Sequence, residues 1–164
     1  MLKTILLSSF SLVATALVLF LIVIGREKSW EMIAGSPDRG PYDFTTATRS
    51  PSANDALACS EGLCQNPDFL ITAFDDTPES VIERLSQRLL SSDKLARRVD
   101  DRNNPAKARF VTYSPTMRFP DMIHLEARAL TDGRTGVMAY ARAQLGKSDM
   151  GKNRARLEAL FAQN

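Results

Sequence analysis

The C-terminal stretch, TGVMAYARAQLG followed by SDMG and KNRARLEALFAQ, constrains the fold more than any other, because it joins two hydrophobic periodicities across one short turn. Val137, Ala139, Ala141 and Ala143 fall on one side of an extended chain and Met138, Tyr140, Arg142 and Gln144 on the other, the period-two pattern of a half-buried antiparallel strand. Gly146 breaks the strand. Ser148 or Asp149 can accept from the free N–H groups of a helical first turn, and the charge of Asp149 suits the positive end of the helix dipole. Met150, Leu157, Leu160 and Phe161 then form one helical stripe, with Asn153 on it. An inward amide left unpaired is costly, so Asn153 is expected to tie the helix to a backbone segment such as the preceding turn, with contact to a ligand the alternative for Asp149 and Asn153.

Upstream, Thr77 before Pro78 is a hydroxyl cap followed by a proline whose missing N–H costs nothing at the first helical position. Val81, Ile82, Leu85 and Leu89 on one face predict a helix from Pro78 to about Leu90. Strands are predicted over Leu95–Asp101, Ala108–Ser114 and Met122–Leu130, with Asn103-Asn104-Pro105 as a turn and Thr131–Arg134 as a hairpin. The order helix, four strands, helix, with short connections, gives an α+β domain of two layers. Its expected form is a four-stranded antiparallel sheet with two amphipathic helices on one face. The other face would carry His124, Glu126, Arg128, Tyr140 and Arg142, either as cross-strand charge pairs or as a binding face.

From Thr4 to Ile24 the chain has no charge for 21 residues, bounded by Lys3 and by Arg26 and Lys28. As a helix this run rises roughly 30 Å, the thickness of a bilayer's hydrocarbon core. Residues 1–28 are therefore read as a single N-terminal transmembrane anchor, with Trp30 at the depth of the interfacial aromatic belt. A cleaved signal peptide and a buried soluble helix are the alternatives; the apolar part of a signal is usually shorter, about 7 to 15 residues. Residues 29–66 read as a Pro/Gly/Ser-rich connecting segment, a tether unless Tyr42, Phe44 and Leu57 lay part of it across the domain at 67–164.

Lys3 against Arg26, Lys28 and Arg39 would by charge leave the domain in the cytoplasm. The one-lysine head resembles a secretory start, and Cys59 and Cys64 stand close enough to pair in an oxidising compartment. The expected location is the inner (cytoplasmic) membrane, single-pass, with the C-terminal domain periplasmic. Cys59-Ser-Glu-Gly-Leu-Cys64 reads as a small disulfide loop, with two free thiols the alternative. Two cysteines and one histidine do not make a zinc site, and no metal or cofactor is expected.

From about Tyr42 onward the chain resembles the bacterial and plant family called domain of unknown function 1499, in its longer, membrane-anchored proteobacterial form. The resemblance is carried by DFTTATRSPSANDALACSEGLC, by MRFPD and, most specifically, by ARAQLGKSDMGKNRARLEAL, where Gly146, Ser148, Asp149, Gly151, Asn153, Arg154 and Arg156 stand at the family's spacing. The chain departs from the family at Ala53 and Ser60, where proline is frequent, and at Ala141 and Ala143, where serines are common. The resemblance implies that part of the connecting segment packs on the domain. It implies no established activity.

No nucleophile elbow, Walker loop, dinucleotide fingerprint or zincin helix is present. From Arg26 onward 20 basic residues face 19 acidic ones, too even a balance to engage nucleic acid, although Lys147, Lys152, Arg154 and Arg156 are locally basic and suit a solvated helix face or anionic head groups. The preferred function is a non-enzymatic, membrane-anchored envelope module that binds a partner protein or an apolar or lipidic ligand. The alternative is a hydrolase or isomerase of unrecognised type using Asp149, Asn153, Arg142 and His124.

Overall fold

Alternating strands pair into a sheet, and each apolar face of that sheet needs cover. The computed structural model describes residues 2–46 and 48–162, and of residues 2–6, 8 and 21 the backbone alone. It runs α1 (Leu2–Ile24), α2 (Arg26–Ala34), β1 (Asp55–Ser60), β2 (Phe69–Ile71), α3 (Pro78–Ser92), β3 (Arg97–Arg98), β4 (Lys107–Tyr113), β5 (Pro120–Ala129), β6 (Thr135–Ala143) and α4 (Lys152–Phe161). Ala47 of the family motif, Gln163 of the expected last helix and the Lys3 side chain of the charge comparison lie outside the described residues.

The α+β class holds, but the sheet has six strands in the order β2-β1-β6-β5-β4-β3 and is mixed, in place of the four-stranded antiparallel sheet expected. β1 pairs antiparallel with β6, and β2 pairs parallel with β1. β1 lies within the stretch read as connecting segment. Its sequence, DALACS, is buried from Ala56 to Ser60, so it shows no alternation of apolar and polar residues to mark it as a strand. β2 has only three residues. The run Leu95–Asp101, expected as a full strand, contributes only Arg97 and Arg98 to pairing.

Ala56, Ala58, Val137, Ala139, Ala141, Ile123, Leu125 and Phe110 point to one face, where α3 and α4 bring Val81, Leu85, Leu89, Leu157 and Leu160 against them. The alanines at the centre let α4 approach β1 and β6 closely. Thr77 caps α3 as predicted, its hydroxyl accepting from Ser80 N at 3.3 Å. At α4 the cap is Gly151, in the left-handed region at φ 76°, and Met150 before it is 90 % exposed. Met150 therefore leaves the apolar stripe: the left-handed turn precedes the helix and points it outward.

Among the described residues no single helix is long and apolar enough to cross a membrane; Ser9–Ile24 and Arg26–Ala34, bent by 107°, meet that requirement only as a pair. The bend falls at Gly25, whose φ of 85° few other residues adopt readily. α2 docks on the loop before β5: the Trp30 indole N–H donates to Met117 O at 2.6 Å and its ring lies 4.8 Å from that of Phe119. Glu27 pairs with Arg97 at 2.9 Å.

Candidate functional site

Register places Arg109, His124, Tyr140 and Leu57 in one row across β4, β5, β6 and β1, on the face that the helices leave uncovered. Residues 37–46 and 48–50 lie over this row as a strap. Tyr42 stacks on Tyr140 with ring centroids 4.1 Å apart, and Phe44 meets Tyr42 edge-on at 5.0 Å. Charged pairs hold both ends of the strap. The Arg109 guanidinium donates to both oxygens of Asp38, at 2.8 and 3.0 Å, and Arg49 donates to both oxygens of Asp55 and to Asp68. The Tyr140 hydroxyl donates to Asp55 at 2.9 Å and accepts from Ser50 N at 3.2 Å.

These contacts set the charge states. Burial alone would raise the Asp55 carboxyl, but the hydrogen bonds from Arg49 and Tyr140 hold it below its usual value. Burial, then the bond to Asp55, pushes the Tyr140 hydroxyl well above the usual phenol range. Burial, reinforced by the Arg109 charge, lowers His124 to about 4, so its imidazole is neutral at pH 7.

Beside the strap a cleft of about 450 Å³ opens, walled by Tyr42 and Phe44 and floored by Arg109, His124 and Glu126. Most charges around it are paired, Arg109 with Asp38, Asp100 with Arg98, and Glu126 with Lys107 and Arg128, while Asp101 accepts from Asn103 alone among the described residues. His124 is different. It is 8 % exposed, its ring lies 5.7 Å from Tyr42 and 6.4 Å from Tyr140, and no described residue hydrogen-bonds to either ring nitrogen. A neutral imidazole so placed offers one donor and one acceptor to the cleft.

The other expected site residues lie elsewhere. Asn153 is fully buried and donates to Asn54 O at 3.2 Å, so it ties α4 to the start of β1 where the preceding turn was expected. Its Oδ1 accepts from Arg156 at 2.6 Å, and Arg156 also reaches Asp121 at 3.1 Å. Asp149 accepts from the backbone N–H groups of Gly151 and Asn153. Asn54, itself buried, bonds Ala143 O and Gly146 O. This knot closes the sheet-and-helix joint and pairs each of these groups within the chain. Ser148 accepts from Met150 N in the turn, Arg154 pairs with Glu158 on the solvent side of α4, and Arg142 is exposed opposite Asp55 in register. The sheet thus stands between His124 and Arg142 on one face and Asn153 beneath α4 on the other.

Cys59 and Cys64 form a disulfide. It closes the first part of the connection, residues 61–68, through which the chain leaves β1 and comes back beside it as the parallel β2, shorter than the dozen or more residues that parallel neighbours usually need.

The profile of a protein family of unknown function, DUF1499, matches residues 43–163, which include the second half of the strap, all six strands, α3 and α4. The chain belongs to DUF1499. No curated protein and no solved structure matches it. The DUF1499 signature at the C-terminus is therefore, in this chain, chiefly the knot around Asn54 and Asn153, while the cleft joins Phe44 of the first motif and the outward His124 to residues outside the motifs. Asp38 and Arg109 are 71 positions apart and carried no local signal. Tyr42 and Phe44 were visible as aromatics in an otherwise polar stretch.

Proposed function

We propose that this DUF1499 chain is a membrane-tethered, non-enzymatic binding module whose small, uncharged, largely apolar ligand occupies the cleft beside the strap. The observation that carries the reading is His124, more than nine-tenths buried, without a hydrogen bond to any described residue, and facing a cleft in which Arg109, Lys107, Asp100 and Glu126 are already paired. Its ring nitrogens make no hydrogen bond within the described residues and stay open to solvent on the cleft side, so a ligand offering one donor or acceptor can take the place of water there. The volume, about 450 Å³, lies within the range of small-molecule sites. Aromatic walls favour a flat or apolar body over a charged one. Because the strap covers the face that a partner protein would need, a concave small-ligand site is favoured over a flat protein interface.

The tether reading is supported by α1, an apolar helix whose described side chains are largely exposed, Phe10 at 75 % and Val23 at 81 % among them. The disulfide supports an oxidising compartment outside the cytoplasm. Two measurements test the proposal. An impermeant maleimide should label Met150→Cys in intact cells; labelling only after lysis overturns the periplasmic placement. Native mass spectrometry of the full chain purified from its membranes should reveal a retained small molecule, reduced about tenfold in His124→Phe. A chain that retains nothing, or a retained molecule indifferent to His124→Phe and Phe44→Ala, overturns the cleft.

A further inference from the structure

A second cavity, of about 700 Å³, lies in the elbow between α1 and α2 and is bordered by Arg118 of the loop that Trp30 grips. Its walls divide sharply by chemistry. Val18 and Ile22 of α1 line one part, and Arg26, Glu27 and Lys28 of α2 with Arg118 of the loop line the other. Three cations therefore face one carboxylate, and that carboxylate, Glu27, is drawn away to Arg97 at 2.9 Å. Lys28 reaches Glu31 at 2.8 Å in an exposed pair of the kind that contributes little and exchanges readily. Arg26 is held by Thr116 O, a neutral partner that leaves its charge uncancelled.

Arg118 is the decisive residue. Its Nη1 is buried with no hydrogen-bond partner, and its backbone sits at φ 58°, in a region that side-chain-bearing residues seldom occupy. A guanidinium N–H without an acceptor is costly, and because the half-buried Arg118 side chain lines this cavity, a small shift of the guanidinium brings that N–H to an anion seated there. The start of α2 adds to this, since no side chain caps it and the first-turn N–H groups give that end a partial positive charge.

We propose that the elbow binds the phosphate of an anionic phospholipid, with Arg118 donating to the phosphate, Arg26 and Lys28 flanking it, and the acyl chains running along Val18 and Ile22. The inference rests on the tether reading above, because a lipid meets this cavity only if α1 lies in the bilayer. The apolar wall selects the lipid over free phosphate, since inorganic phosphate gains nothing from Val18 and Ile22. The 107° bend suits the same geometry: α1 enters the hydrocarbon while α2 lies along the head-group layer with Met32 and Ile33 exposed.

The test uses the full chain in nanodiscs of phosphatidylcholine and phosphatidylglycerol in equal parts, with retained lipid read by native mass spectrometry. Phosphatidylglycerol should be enriched about tenfold over phosphatidylcholine on the wild-type chain, and Arg118→Gln should lower that ratio to about threefold or less. Lys28→Gln should lower it less. Arg134→Gln, which removes the same charge from an exposed site in the hairpin at the opposite end of β5, should leave it unchanged. Equal retention of both lipids, an equal loss in Arg134→Gln, or displacement of the lipid by inorganic phosphate each overturns the proposal. If the chain does not enter nanodiscs at all, the tether itself fails and this site fails with it; entry without lipid preference defeats only this site.

Discussion

The two faces of the sheet are covered in opposite ways. On one, α3 and α4 lay regular apolar stripes across alternating strand residues, and the joint is closed by the Asn54 and Asn153 amides. On the other, an irregular strap is held by an aromatic stack, by Arg109 with Asp38 and by Arg49 with Asp55. The helical cover shields side chains that are apolar and satisfied, so it stabilises the fold. The strap, being irregular, leaves space beneath its edge and an imidazole without a partner, so it can host a ligand. The difference teaches that one face of the sheet is closed by regular packing, while the other, where the ligand is proposed to bind, is closed by a few specific contacts that leave open space.

That contrast can be broken by mutation. The largest effect is expected from Phe110→Ala, beneath the helices, at about 3 to 5 kcal/mol of global stability by chemical denaturation. An effect under about 1 kcal/mol would mean that the helical face is not the core. The second test is pH. His124 titrates at about 4 in the folded chain against 6.5 as a free side chain. Between these values the unfolded chain takes up a proton that the folded chain refuses, so the stability contributed by a neutral His124 is complete above pH 6.5 and is lost as pH falls toward 4. His124→Phe should remove a loss on the order of 3 kcal/mol over that window. Asp121, whose carboxyl is raised by burial, acts in the opposite sense as acid is approached, so the difference between wild type and variant is the quantity to read. Identical slopes would place His124 in water.

The smallest effect is expected from Tyr42→Ala. Losing the stack on Tyr140 should cost about 1 to 2 kcal/mol, with hydrogen exchange rising over residues 37–50 and little change in α3 or α4. If Tyr42→Ala instead unfolds the chain as Phe110→Ala does, the strap belongs to the core and the division between the faces disappears.

Much of the helical face was legible before any coordinates. Thr77-Pro78, the stripe from Val81 to Leu89 and the alternation in β4, β5 and β6 are local signals, each decided by neighbours within a few residues. β1 was not legible, because a strand buried on both faces shows no alternation and alanine has little preference for strands. The cleft was legible only in fragments. His124 and Tyr140 were picked out as outward residues, yet what surrounds them depends on Asp38 and Tyr42, brought in from far along the chain.

The sequence by itself determined the α+β class, the helices that flank the strands, the proximity of the two cysteines and membership of DUF1499, since each rests on short-range spacing. Only the tertiary structure decided which polar groups are spent and which are left over. Asn153 was expected to bond backbone, and the structure decided that its partner is Asn54 O, while His124, one of the candidate outward residues, is left with no hydrogen bond to any described residue. The reason is that hydrogen-bond satisfaction is a property of three-dimensional neighbours, and no periodicity along the chain encodes them.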